Sequence, residues 1–332
     1  MSEKKEVRVF IDGCFDLVHF GHANAMRQAK GKGSWLCVGV HTDADIIANK
    51  GPPIMTEEER YEAVRAVKWV DQVHEASPYV TYIETLDKLN CDFVCHGEDI
   101  TLSADGNDCY SIAQREGRFQ FIHRTEGVST SDIANRIMAR LGLDIGDAVS
   151  ASTGSDRFLP SARKIALFSD MTEPTDETIV VWVDGSFDLL HPGHLAWLKT
   201  IKETIPGAYI IAGVHSDAVV EQYTGEAPYM TMHERGLGLL ACRYVDDVVF
   251  DSPLELSPAL LDEYKVKTVA IGPSGDKYKI DGYSEARQRG IMRTIAGPRD
   301  MDMYTVINRI RQNQEVYIAK NRAKAAKEAG KA

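Results

Sequence analysis

The chain has 332 residues, 44% hydrophobic and 26% charged, the balance of a soluble globular protein with room for two ordinary domains. Its 38 Lys and Arg against 49 Asp and Glu leave a net charge of −11, which argues against a general nucleic-acid binder but not against a local pocket for an anion. No apolar run approaches the roughly 18 residues that span a bilayer, MSEKKEVRVF holds no signal-peptide core, and the six cysteines lack zinc spacing, so the expectation is a cytoplasmic protein with reduced thiols and no integral membrane segment.

The first half alternates strand-like and helix-like segments. Strands are expected at 7–11, 35–40, 70–74, 92–96 and 119–123, and helices at 22–30, 57–68, 80–89, 109–116 and 131–141. This alternation predicts an α/β domain over 1–141, a Rossmann-like parallel sheet with helices on its faces and ligands beyond the carboxyl ends of the strands. Residues 142–178 are rich in Ser, Asp, Thr and Gly and read as a linker, although Arg157-Phe158-Leu159-Pro160 and Ile165-Ala166-Leu167-Phe168 are apolar enough to pack. The alternation returns over 179–311, and 312–332 is an Ala- and Lys-rich tail, either a helical extension or a frayed end.

One motif is written twice. DGCFDLVHFGH at 12–22 returns as DGSFDLLHPGH at 184–194, and the later landmarks keep nearly constant spacing, from Gly39 to Gly213 and from Arg60 to Arg235. Two tandem copies of one domain are therefore expected, because solenoid periods are much shorter.

In the first copy, His19-Phe20-Gly21-His22 sits where strand gives way to helix. Two imidazoles three apart at a helix mouth, with Gly21 removing a side chain between them, outline a phosphate site. A metal pair, or histidines that only satisfy local hydrogen bonds, fit the same residues. A second anion site is read at Arg124-Thr125-Glu126-Gly127-Val128-Ser129-Thr130-Ser131-Asp132, where Ser129 and Asp132 match a helix cap, Gly127 permits an unusual backbone angle and Arg124 offers a fork for phosphate oxygens.

GxFDxxHxGH followed by RTEGVSTS resembles the cytidylyltransferase family of nucleotidyltransferases, and the tandem arrangement and the linker RFLPSARKIALFS resemble its ethanolamine-phosphate branch. Class I aminoacyl-tRNA synthetases share HxGH but need a KMSKS-like loop and a tRNA-binding domain, and neither is evident. The resemblance implies transfer of CMP from CTP to phosphoethanolamine, giving CDP-ethanolamine and pyrophosphate for phosphatidylethanolamine synthesis. The alternatives are the same transfer to phosphocholine, or a nucleotide-sensing or scaffold protein of the same fold.

Residue by residue, it implies that His19, His22, Lys30 and Arg124 act on the reacting phosphates. Gly13, Phe15, Gly21, Lys50, Arg60, Gly127, Ser129 and Thr130 would bind CTP, although a solvated lysine and a surface ion pair are the plain readings of Lys50 and Arg60. Asp16 and Tyr79 would meet the amine end of the acceptor, with packing the alternative for Tyr79. Mg²⁺ would accompany CTP, its protein ligands unassigned, with Asp99 a guess. A homo-oligomer is compatible with the sequence, and no nucleic-acid partner is expected.

In the second copy His191, His194, Lys202 and Arg235 return as a possible ligand site. Lys50 is replaced by Thr224, and Asp300-Met301-Asp302-Met303-Tyr304 stands where Gly127-Val128-Ser129-Thr130-Ser131 stood, so this copy is expected not to turn over CTP.

Overall fold

The chain is represented by a computed structural model that describes residues 6–98, 102–143, 162–170, 172–272 and 282–329, with helix side chains described as far as residue 322. It divides into two compact units, Met1–Thr153 with Tyr304–Ala332, and Gly154–Met303.

In the first unit the order is β1 (Arg8–Gly13), α1 (Phe20–Lys30), β2 (Trp35–Val40), α2 (Asp43–Lys50), α3 (Glu57–Arg65), β3 (Gln72–His74), α4 (Ile83–Lys88), β4 (Phe93–His96), α5 (Ser111–Arg115), β5 (Phe119–Phe121) and α6 (Thr130–Arg140). All four strand pairings are parallel, in the spatial order β3-β2-β1-β4-β5. Helices cover both faces, which is why β1 and β2 read as unbroken apolar runs rather than alternating ones. Phe10, Cys37, Leu86 and Val94 meet in the core below the site. The strand order reverses beside β1, so the loop after β1 opens on the crevice where doubly wound sheets bind ligands.

The second unit holds α7 (Ala162–Phe168), β6 (Ile179–Gly185), α8 (Pro192–Thr204), β7 (Ala208–Val214), α9 (Asp217–Thr224), α10 (Met232–Leu240), β8 (Asp247–Phe250), α11 (Pro258–Glu263), β9 (Thr268–Ile271), α12 (Ser284–Gln288) and β10 (Met292–Thr294). Its parallel sheet, β10-β9-β6-β7-β8, has the same topology read from the other edge. Trp182 takes the place of Phe10 in this core, and its indole N–H is satisfied by Asp184 at 3.1 Å.

Three features differ from expectation. The pattern reading left out α2 and its counterpart α9; α2 buries only Ile46, and its start is set by the Thr42 hydroxyl, which accepts the Asp45 N–H at 3.0 Å. The linker contains a helix, α7, that the pattern did not indicate, although its buried Phe168 accords with the expectation that this apolar stretch packs, while Arg157–Pro160 and Asp99 lie outside the described residues. Finally, α13 (Met303–Gln312) and α14 (Gln314–Ala329) follow the second sheet in sequence, yet Tyr304 onward groups with the first unit.

Candidate active site

The loop from β1 to α1 is held in an uncommon shape. Phe15 (φ +48°) and Leu17 (φ +46°) both occupy the left-handed region, which costs a bulky residue roughly 1–2 kcal/mol. Asp16, between them, anchors the turn: its two carboxylate oxygens accept the N–H groups of Ile54 and Met55, each at 2.8 Å. The Thr130 hydroxyl donates to the Asp16 carbonyl at 2.7 Å. Burial raises the Asp16 pKa, opposed by those amides and by Arg60. Asp16 thus shapes the loop and also lies on the cavity wall, where the acceptor amine was expected to meet it.

His19 caps α1. Its Nδ1 accepts the Gly21 N–H at 3.1 Å, while the His22 Nδ1 accepts the His19 N–H at 3.4 Å, a reciprocal capping box built from two imidazoles. The rings stack with centroids 3.9 Å apart. A backbone N–H can only donate, so both Nδ1 atoms are bare and each neutral ring carries its proton on Nε2. Both rings are held neutral. Burial, then the proximity of Lys50, lowers the His22 pKa to about 4; burial, His22, Arg136 and Arg124 push His19 well below its ordinary value. Among the described residues the His19 Nε2 is buried without a hydrogen-bond partner. Gly21 has to be glycine, because a Cβ there would meet Val128 Cγ1 at 2.8 Å and the His19 ring at 2.9 Å.

These histidines line a cavity of ≈440 Å³, within the usual range for small-molecule sites. Gly13, Phe15, Gly21, Lys50, Arg124, Ser129 and Thr130 share its wall, so the sequence-predicted residues of the two anion motifs and the Lys50 loop converge there. Ser129 caps α6, accepting the Asp132 N–H at 3.1 Å, and thereby points the free amides of the first turn at the cavity. Gly127 turns the chain with φ +80° and brings Val128 over Gly21. Lys50 sits against Cys14 and Tyr79; burial opposes its charge, but those neighbours more than offset this and its pKa is raised.

Three expected phosphate or substrate ligands are placed elsewhere. Lys30 is eight residues beyond His22, about 12 Å along a helix, at the end of α1 remote from the helix mouth. Its ammonium donates to the Ser34 carbonyl at 2.6 Å and to Asp71 Oδ2 at 2.5 Å, and the same oxygen accepts the Leu36 N–H at 2.7 Å. Lys30 thus ties α1 to the entry of β2. Arg60 is fully buried. Nη1 donates to the Cys14 carbonyl at 2.8 Å, Nη2 to Asp43 at 2.8 Å and Nε to the Met55 carbonyl at 3.3 Å, so it ties the loop after β1 and the segment before α3 to the start of α2. Tyr79 packs with Phe10 and Leu86, its ring 4.9 Å from His41 and 5.8 Å from the ammonium of Lys50, and it is not among the residues lining the cavity.

The sequence reading missed the residues that the C-terminal helix contributes. Tyr317, Lys320 and Asn321 of α14 line the same cavity. The Tyr317 hydroxyl donates to the Pro52 carbonyl at 3.2 Å, and Asn321 Nδ2 donates to Asn135 Oδ1 at 2.7 Å. Ahead of them Arg309 of α13 forks onto Glu59, with one N···O distance of 3.0 Å, and reaches the Ile54 carbonyl at 3.2 Å. The spacing of Tyr317, Lys320 and Asn321 (i, i+3, i+4) marked one helical face in advance.

Comparison with known proteins adds an independent finding. A family model described as cytidylyltransferase-like matches twice, over residues 10–136 and 182–320. The ethanolamine-phosphate cytidylyltransferase of Dictyostelium discoideum is 42% identical over 98% of this chain and 97% of its own length; that of Mus musculus is 40% identical over 98% and 91%. The chain belongs to the ethanolamine-phosphate cytidylyltransferase family. Choline-phosphate cytidylyltransferase 2 of Arabidopsis thaliana is 46% identical, but over only 41% of this chain and 46% of its own length.

The second cytidylyltransferase-like copy keeps the frame and changes the mouth. His191 and His194 stack with centroids 3.9 Å apart; burial lowers the His191 pKa to about 4, and burial and His191 push His194 well below its ordinary value. Asp188 accepts the N–H groups of Tyr229 at 2.7 Å and Met230 at 3.0 Å, as Asp16 does in the first copy. Lys202 pairs with Asp246 and the Ala208 carbonyl. Arg235 is buried against Asp217 and the carbonyls of Ser186, His215 and Met230. Both cations of the possible ligand site in this copy are thus engaged by protein carboxylates and carbonyls. At Gly193 a Cβ would meet the Met301 carbonyl oxygen at 2.4 Å, where Gly21 faces a Val128 methyl. An acceptor thus sits against the helix mouth that the first copy leaves to apolar contact. Thr224, in the place of Lys50, turns its hydroxyl onto the carbonyls of Val220 and Glu226.

Proposed function

We propose that the first unit transfers CMP from CTP to phosphoethanolamine, releasing CDP-ethanolamine and pyrophosphate. One observation carries this reading: two imidazoles, their Nδ1 atoms fixed by backbone amides and their Nε2 atoms left as the donors, line a cavity that Lys50, Arg124 and the first turn of α6 also line. The acceptor's phosphomonoester, with a second pKa of about 6, is already a nucleophile at neutral pH. One of its oxygens attacks the α-phosphorus, the bond to the bridging oxygen of the β-phosphate breaks, and that electron pair leaves with pyrophosphate. No side chain has to accept a proton. His19 and His22 donate to oxygens that gain charge, while Lys50, Arg124 and the α6 amides hold the triphosphate in line. Full-length likeness to ethanolamine-phosphate relatives, against partial likeness to choline-phosphate ones, supports the acceptor.

Mg²⁺ fits as a companion of the nucleotide. Among the described residues no group of three His, Cys, Asp or Glu could hold a metal. The wall carboxylates are already engaged, Asp12 by Thr81 and Tyr110 and Asp16 by two amides. When bound, the ion would neutralise part of the phosphate charge, carried by phosphate oxygens and water. For the second copy, the Met301 carbonyl and the loss of Lys50 support a domain without turnover. All six cysteines are free thiols, which supports a reducing compartment such as the cytosol, and no described helix is long and apolar enough to cross a membrane.

The test is CTP-dependent pyrophosphate release with ethanolamine, choline and glycerol phosphates side by side. Turnover with phosphoethanolamine is expected to dominate. Turnover confined to another acceptor, or none at all, would contradict the proposal.

A further inference from the structure

Lys320 approaches the cavity from the far end of the chain. Its stem lies against the backbone at Gly51: a Cβ built there would be 3.4 Å from Lys320 Cε and 3.5 Å from Nζ. The Lys50 ammonium belongs to the adjacent residue and lines the same cavity. No carboxylate forms an ion pair with Lys320 among the described residues. Asp16, whose charge is felt at Lys320, has both oxygens on backbone amides. The Tyr317 ring flanks the Lys320 ammonium, 5.8 Å from the ring centroid, and Tyr317 and Asn321 fasten α14 to Pro52 and Asn135. The helix is therefore pinned on two sides with a lysine between the pins. Two ammonium groups on one wall repel each other, and burial together with Lys50 lowers the Lys320 pKa against the opposing pull of Cys14 and Asp16. A bound anion would relieve that repulsion.

We infer that Lys320 is a phosphate-binding residue of the first-unit cavity, so that the C-terminal helix supplies, beside Lys50, a cation that the first cytidylyltransferase-like repeat does not itself contain. This rests on the function proposed above and goes beyond it, because it assigns part of the site to a segment some 180 residues downstream of α6 in sequence. The ligand is a phosphate oxygen, either of the CTP triphosphate or of the phosphomonoester acceptor. A charged hydrogen bond of this kind typically changes affinity roughly ten- to hundredfold.

The experiment compares full-length Lys320→Met and Lys320→Arg with the unaltered chain. KM for CTP and for phosphoethanolamine are measured separately, alongside thermal stability and equilibrium binding of pyrophosphate by calorimetry. The expected result is a rise of at least about tenfold in one KM for Lys320→Met, with kcat within about threefold, unchanged melting temperature and substantial recovery in Lys320→Arg. A rise in KM for CTP with weakened pyrophosphate binding assigns the contact to the triphosphate. A rise only in KM for phosphoethanolamine assigns it to the acceptor. Both KM values within twofold of the unaltered chain would overturn the inference while leaving the proposed function intact. If the unaltered chain shows no turnover, the function fails first, and equal pyrophosphate affinity in all three proteins then sinks this inference as well.

Discussion

The neutral histidine cap makes a quantitative claim about stability. His22 has a folded-state pKa of about 4 against 6.5 for an ordinary histidine, and it is partly buried on the cavity wall. Protonation therefore favours the unfolded chain. The stability that neutral His22 confers is complete above about pH 7 and is lost as pH falls from 6.5 toward 4. With those two values, the loss between pH 7 and pH 5 is about 2 kcal/mol, rising to about 3 kcal/mol at pH 4. His22→Gln retains an acceptor for the His19 N–H but cannot titrate. Urea denaturation of both proteins at pH 7, 6 and 5 gives the comparison, and taking the difference between them removes other titrating groups such as Asp16, whose raised pKa works in the opposite sense. The unaltered chain should lose about 2 kcal/mol more than His22→Gln over that interval. Parallel pH dependences would refute the idea that burial holds this ring neutral.

Three further outcomes follow from the same geometry. Lys30→Met removes a partly exposed pairing with Asp71, so it should cost about 1 kcal/mol in denaturant titration and leave KM for CTP within twofold. Arg60→Met strands the partners of a fully buried guanidinium and should destabilise the first unit by about 3–5 kcal/mol, visible as a collapse in melting temperature rather than a selective change in KM. His191→Ala should leave kcat/KM for CTP within a few-fold; loss of turnover in a folded His191→Ala protein would place chemistry in the second copy.

The sheets and the two histidine caps were legible because long buried runs and a repeated HxGH leave few alternatives. The roles of Lys30, Arg60 and Asp16 were not. Each returns in the second copy with the same partners, as Lys202, Arg235 and Asp188, although that copy has lost Lys50 and the α6 entry. His191 and His194 are kept as well, so persistence alone does not sort frame from ligand; what sets Lys30 and Arg60 apart is their engagement with Asp71 and Asp43 and, for Lys30, its distance along the helix from the mouth. Short α2 was hidden because it buries a single isoleucine. The contribution of α14 was hidden because its return to the first unit is a long-range event that no local pattern encodes; only Tyr317, Lys320 and Asn321 on one helical face pointed to it.

The most direct measurement is a crystal structure of the full chain with CTP. The account predicts triphosphate density in the first-unit cavity, within hydrogen-bonding reach of the Nε2 atoms of His19 and His22 and of Arg124. Nucleotide bound only at His191 and His194, with the cavity beside His19 vacant, would contradict it.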